Sequence, residues 1–185
     1  MALTKTPVCD FGKKAEDFKL KSINNKVITL NDIKGEKATL IMFICNHCPY
    51  VKAIIKDLAK DCNEMKKDGI NSVAIMSNDT KNYPEDSFEN MIKFADNNNF
   101  GEINYLFDET QEIAKKYGAV CTPDFFGYNK KLELQYRGRF RELKDLKPVN
   151  NGDSDLKIAM KMLAQTQKGP GEQIPSMGCN IKWFD

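Results

Sequence analysis

Thr39, Leu40, Ile41, Met42, Phe43 and Ile44 form an apolar run that ends on Cys45, Asn46, His47 and Cys48. A run with so little alternation reads as a strand buried on both faces. Immediately afterwards Val51, Ile54, Ile55, Leu58, Cys62 and Met65 recur at helical spacing, so the two cysteines stand where a strand enters a helix. Unpaired backbone N–H groups and the positive end of the helix dipole favour a thiolate there, and the thiolate is the nucleophilic form of cysteine. A spacing of three residues also brings both sulfurs onto one helical face, within reach of a disulfide. Far downstream, Thr122 and Pro123 precede a second apolar segment. This combination points to redox chemistry at sulfur.

The chain of 185 residues is 41% hydrophobic, enough for one well-buried core. We read it as a single domain over 1–185, with a core at about 15–165 and a C-terminal tail at 166–185. Its 28 basic and 26 acidic residues leave a formal charge of +2, and no basic block marks a nucleic-acid or membrane surface. No stretch approaches the ~18 apolar residues of a membrane span, and the start lacks the pattern of a secretory leader. The expected compartment is therefore the cytoplasm. Six cysteines in that compartment are reduced at rest, so their spacing argues for catalysis or metal binding rather than a disulfide framework.

Ala15 to Leu20 and Lys26 to Leu30, separated by Asn24 and Asn25, read as a β-hairpin ahead of the main sheet. Ala38 to Ile44 is the central strand, its helix runs to about Lys67, and Ile70 to Met76 completes a βαβ unit. Pro84 and Glu85 open a second helix that ends at Asn97 to Asn99. Asp108 and Gln111 resemble a capping box before a short helix closed by Gly118. Phe125 to Tyr128 and Leu132 to Arg137 read as an antiparallel hairpin, and Asp153 or Ser154 caps a last helix. The fold class is α/β, a central mixed sheet flanked by helices with an N-terminal hairpin extension.

This order of elements, with CxxC after the first long strand and Thr-Pro before the closing hairpin, resembles the thioredoxin superfamily. The match spans about Ala15 to Leu163. The opening Ala15-Glu16-Asp17-Phe18-Lys19-Leu20 is similar to the start of the AhpC/TSA branch, which includes redoxin and TlpA-like proteins. The ending Pro175 to Trp183 resembles the tail of a subgroup whose central motif is CNHCPYV. By that resemblance Cys45 is the attacking thiolate and Cys48 the resolving thiol. Pro123 is then the cis-proline facing them, and it turns the backbone of Thr122 to pair with an extended substrate like a short added strand. His47 precedes the second cysteine as a histidine does in protein disulfide isomerase and DsbA-type motifs. An imidazole there stabilises the thiolate and raises the reduction potential.

The resemblance implies a thiol:disulfide oxidoreductase with no organic cofactor. Its partners are thiol or disulfide proteins or small molecules, and a thioredoxin- or glutathione-type donor. Ile44 stands where thioredoxin has Trp, and the strand Ala38 to Ile44 carries no buried acid. The proton of Cys48 then falls to His47, Asp124 or a water. A thiol-dependent peroxidase acting on peroxide is the alternative enzyme, although Ile41 and Cys45 replace the proline and threonine of the peroxiredoxin PxxxTxxC pattern. Peroxide activation also calls for an arginine at the thiolate, and Arg137, Arg139 and Arg141 alternate as one solvated strand face. A Zn or Cu(I) module on the same fold is the alternative outside enzymes, with His47, Cys121 and Cys179 as further ligands. Cys121, beside Thr122, reads either as a third redox thiol or as a buried small residue. Cys179 reads either as an additional resolving cysteine on a swinging tail, or as part of a tail anchored by Ile181 and Trp183. Cys62 lies on the inward helical stripe and is expected to be inert.

Overall fold

The computed structural model describes residues 3–185. Strand β1 (Leu3–Lys5) is followed by the hairpin β2 (Lys19–Ser22) and β3 (Val27–Thr29). A single helical turn, α1 (Leu30–Ile33), begins where the sequence suggested more strand. Thr29 accepts from the Asp32 N–H while Asp32 accepts from the Thr29 N–H, a capping box that ends the strand there. Strand β4 (Ala38–Phe43) follows, then α2 (Pro49–Lys66) and β5 (Ile70–Met76). Helix α2 begins after the second cysteine, because Pro49 takes the first helical position and leaves Cys48 as the N-cap.

The segment after β5 is also corrected. Pro84–Asp86 is a 3₁₀ turn, and α3 (Phe88–Asn97) begins only after Ser87, whose hydroxyl caps it by accepting from the Asn90 N–H. Then come β6 (Asn104–Phe107), α4 (Glu112–Tyr117), β7 (Cys121–Thr122) and β8 (Asp124–Asn129). Asp108 does hold the start of α4, but by accepting from the N–H groups of Ile113 and Ala114, with Gln111 as the N-cap residue. Strand β9 (Leu134–Tyr136), the small hairpin β10 (Leu143–Lys144) and β11 (Lys147–Pro148), helix α5 (Asp155–Thr166) and β12 (Met177–Asn180) complete the chain.

The main sheet has seven strands in the order β3-β2-β6-β5-β4-β8-β9. Strands β4, β5 and β6 run parallel, while β8, β9 and the β2–β3 hairpin pair antiparallel at the two sides. Every residue of β4 is buried, as its unbroken apolar run requires of a strand covered on both faces. Leu40 and Met42 meet Val51, Ile55 and Leu58 of α2 and Leu156 and Met160 of α5. Ile41 and Phe43 face the other way, against Leu30 and Ile33 of α1 and Ile113 and Tyr117 of α4. The α/β class, with its mixed sheet between two helical layers, is as expected.

The C-terminal tail is not an appendage. Strand β12 lies between β1 and β7 in a second, three-stranded sheet, with Cys179 opposite Thr122 and Leu3 opposite Cys179. Beyond it, the Lys182 N–H donates to Asn78, and the Lys182 carbonyl accepts from the Asp79 N–H and the Gln111 amide. Ile181 is buried as expected, whereas Trp183 is partly exposed and stacks under the Lys115 ammonium. Among the described residues no helix is long and apolar enough to cross a membrane.

The arginine cluster is not a solvated strand face, because β9 stops at Tyr136. Arg137 turns inward, donates to both oxygens of the buried Asp124 and to the Gly118 carbonyl, and lies over Phe126. Arg139 pairs with Asp155, and Arg141 with Asp57. Asp124 immediately follows Pro123 and also accepts from the Val120 N–H, so it braces both sides of β7. Removing one partner of such a pair leaves a buried charge unpaired. Asp124→Ala is expected to cost about 3–5 kcal/mol in chemical denaturation.

Candidate functional site: three thiols against the Thr122–Pro123 turn

Parallel neighbours β4 and β5 end side by side, so the loops that follow them share one edge of the sheet. The loop after β4 carries Asn46 and His47, and the loop after β5 carries Asn78 and, further on, Asp86. Asp86 is fully buried. It accepts from the Asn46 N–H at 2.7 Å and from the Asn78 amide at 2.8 Å, and it pairs with His47 Nδ1 at 2.7 Å. Asn46 in turn donates to the Glu85 carbonyl and accepts from the buried Tyr105 hydroxyl at 2.9 Å. The His47 ring stacks on Tyr83 with only 6° between their planes. This polar knot fixes the backbone between the two cysteines.

The sequence reading searched for a buried acid within β4 and missed Asp86. A usable signal was present: Ser87 is a better cap than Pro84, and a helix starting after Ser87 leaves Asp86 free to turn inward.

Both expected site cysteines are buried, Cys45 with 1% of its surface exposed and Cys48 with none. Cys45 is not part of the helix that the CxxC spacing suggested: it precedes α2 and lies under the loop. Its Sγ is 3.3 Å from the Thr122 hydroxyl. Cys48 Sγ lies 3.2 Å from the Thr122 carbonyl and 3.1 Å from Cys179 Sγ. The Thr122–Pro123 bond is cis, so Thr122 presents both hydroxyl and carbonyl to the sulfurs. Cys121, on the same strand, points elsewhere; its thiol meets the Pro123 carbonyl, and burial pushes its pKa up.

The groups around the pair favour negative charge on Cys48 over Cys45. A hydrogen bond from Cys45 brings the Cys48 pKa down to about 5 against the cost of burial, and the Cys179 thiol and the backbone N–H groups of Val51 and Cys179 add to this. As N-cap of α2, Cys48 also sits at the positive end of the helix dipole. Cys45 moves the other way, well above the ordinary thiol value, because it gives its hydrogen bond to Cys48, is buried and lies near Asp86. Burial and the bond to Cys48 push Cys179 up to about 12. The remaining thiols stand apart: burial raises Cys62 to about 12 and Cys9 to about 11.

Among the described residues, one group brings metal-ligating atoms close together: those of Cys45, His47 and Asp86 lie within 4.8 Å of one another. Cys121 and Cys179, which the sequence offered as further ligands, are not in that group. Both Asp86 oxygens are already engaged by Asn46, Asn78 and His47, so the group is satisfied as a hydrogen-bonded unit.

A mixed sheet with CxxC at the end of its central strand, facing a cis-proline turn, defines the thioredoxin-like class of α/β proteins. The chain belongs to the AhpC/TSA family, whose model matches residues 11–140. It is similar over its whole length to a conserved protein of uncharacterised function from Geobacillus kaustophilus, at 39% identity and a TM-score of 0.94, covering 100% of this chain and 97% of that one. A hypothetical protein from Sinorhizobium meliloti 1021 is 36% identical with a TM-score of 0.90, covering 98% of each chain. The thioredoxin domain of a thiol-disulfide oxidoreductase from Bacteroides vulgatus shares the fold at 18% identity and a TM-score of 0.58, over 69% of this chain and 86% of that one. No curated protein matches the sequence.

Two outcomes follow from this electrostatic arrangement. Thiolate absorbance near the ultraviolet edge should rise with a midpoint at about pH 5, and Cys48→Ser should abolish that step. The second concerns His47, whose pKa the bond to Asp86 raises above 6.5. A group raised on folding gives its stabilisation fully below its unfolded value and loses it as pH climbs through the folded one. The stability gap between wild type and His47→Ala should therefore be widest below about pH 6.5 and shrink on the alkaline side, read by urea denaturation across pH.

Proposed function

We propose that the protein is a thiol:disulfide oxidoreductase cycling Cys45 and Cys48 between dithiol and disulfide. The observation that supports this most is the placement of Cys45 and Cys48 together against Thr122 of the cis-proline turn, with the donors around Cys48 favouring its thiolate. In this reading the roles implied by the resemblance are exchanged. Cys48 attacks one sulfur of a disulfide substrate and expels the other as thiolate. Cys45 then attacks the Cys48 sulfur, releases the second half of the substrate, and leaves the Cys45–Cys48 disulfide. The proton Cys45 loses goes to a departing thiolate, with Thr122 and the imidazole of His47 near its path. Two electrons pass from the dithiol to the substrate, and a thioredoxin- or glutathione-type thiol in a reducing cytosolic setting restores them.

Both sulfurs lie below the surface, so turnover requires a local opening of the loops over them. A groove with room for about 460 Å³ adjoins Pro123, lined by Tyr50, Ile54, Phe140 and Leu143 with Arg139 and Arg141 at its side. It gives a concave approach to the turn. Peroxide is a weaker fit as substrate, because the Arg137 guanidinium is committed to Asp124 and Gly118 instead of the thiolate.

The test is reduction of hydroxyethyl disulfide and of insulin beside consumption of hydrogen peroxide, each with a thioredoxin or glutathione system, on protein whose metal content has been measured. Disulfide turnover that disappears in Cys48→Ser and falls in Cys45→Ser is expected. Peroxide turnover without disulfide turnover would replace this reading by the peroxidase. Stoichiometric zinc or copper would replace it by the metal module. In a glutathione redox titration His47→Ala should be the more reducing protein, since the imidazole favours the thiolate of the reduced form. Each ~30 mV of that shift corresponds to ~1.4 kcal/mol.

A further inference from the structure

The place on Thr122 where an extended substrate would add as a strand is already filled by the chain itself. Strand β12 pairs antiparallel with β7, and its Cys179 stands directly opposite Thr122. Cys179 Sγ is 3.1 Å from Cys48 Sγ, where the reacting sulfur of a bound substrate would have to be. The fit depends on Gly178: a Cβ there would lie 2.0 Å from the Thr122 carbonyl oxygen and 3.1 Å from Pro123 Cδ. The strand is also fastened before and after this point. The buried Ser176 donates its hydroxyl to the Pro123 carbonyl at 2.8 Å, and the Ile181 N–H reaches the Val120 carbonyl.

Resting on the oxidoreductase reading above, we propose that β12 is a built-in occupant of the substrate-strand position and that Cys179 is a third redox thiol exchanging with the Cys45–Cys48 disulfide. In the exchange Cys179 gives up its proton and its sulfur attacks Cys48. The Cys48–Cys179 bond forms as the Cys45–Cys48 bond breaks, and Cys45 leaves with the electron pair and takes the proton. No net oxidation occurs and no outside reagent is needed. The same attack resolves a mixed disulfide between Cys48 and a substrate, which gives Cys48 two internal resolving thiols. The disulfide is thereby shared between the pair under the loop and a strand that ties the C-terminal segment to the site.

To form the bond the two sulfurs close from 3.1 Å to ~2.05 Å, a short movement for side chains already in contact. Cys121 has no comparable opening, because its thiol faces the Pro123 carbonyl.

The test treats reduced protein with one equivalent of hydroxyethyl disulfide, quenches in acid with N-ethylmaleimide, and maps the linkages by mass spectrometry after peptic digestion. Wild type is expected to hold both Cys45–Cys48 and Cys48–Cys179 bonds. Cys45→Ser should close Cys48–Cys179 and release two equivalents of mercaptoethanol, and Cys179→Ser should hold only Cys45–Cys48. Gly178→Ala, checked for folding by circular dichroism, should lower the Cys48–Cys179 share at least tenfold by pushing β12 off the turn. If Cys45→Ser stops at a mercaptoethanol adduct on Cys48, with one equivalent released and Cys179 alkylated, the third-thiol role is overturned while the oxidoreductase reading stands. An unchanged Cys48–Cys179 share in Gly178→Ala overturns the role of the docked strand. Wild type lacking any Cys45–Cys48 bond removes the underlying reading itself.

Discussion

A sulfur with no access to water must find the solvation of its charge within the protein, and the site is organised around that requirement at Cys48. Burial alone pushes a thiol toward its neutral form, as Cys62 shows in the same helix. Cys48 escapes that outcome because donors converge on it from three directions. The end of β4 brings the Cys45 thiol, the first turn of α2 brings the Val51 N–H, and β12 brings the thiol and N–H of Cys179. Remove the C-terminal strand from this list and the cluster loses both its outermost donor and its cover. The packing of the tail is thus part of the electrostatics of the thiolate.

The same requirement accounts for the elaborate support of the loop between β4 and α2. A loop that must hold two sulfurs in register cannot be left to solvent, and Asp86 ties it from beneath through Asn46, Asn78 and His47. Asp86 reaches that place only because Pro84–Asp86 is a turn preceding α3. On the opposite side Asp124 performs the equivalent task for the Thr122–Pro123 turn, with the Arg137 guanidinium offsetting its buried charge. Two buried carboxylates, each satisfied by partners of its own, hold the two walls of the thiol cluster. A negative charge at Asp86 also disfavours a thiolate on Cys45 more than on Cys48, which helps to separate the two cysteines into acid and nucleophile.

Much of the architecture was legible in the sequence because the signals were periodic and local. The unbroken apolar run of β4, the helical stripe from Val51 to Met65 and the asparagine turn of the β2–β3 hairpin each specify an element through near neighbours. The pairing of CxxC with Thr122 and Pro123 was legible for a different reason, the resemblance of their order to a known family. What escaped depended on contacts distant in sequence. Asp86 lies 39 residues from its His47 partner, and Arg137 looked like one of three alternating surface arginines until Asp124 was found beneath it. Cys179 was named as a candidate resolving thiol, but the strand that carries it was not: it lies 131 residues from Cys48, and nothing local in Met177 to Asn180 marks a strand bound for the site.

The nucleophile proposed above rests on such distant contacts rather than on position alone. Helix geometry treats the first cysteine of a CxxC pair as the exposed one, nearer the dipole, and hence the stronger acid. Here Pro49 begins the helix one residue after the second cysteine, which moves the N-cap to Cys48 and leaves Cys45 on the preceding loop. The dipole then acts on the second sulfur. The loop buries the first one near Asp86, and the tail supplies the second with a further thiol donor. Three modest effects of the same sign act together, and all favour keeping the proton on Cys45.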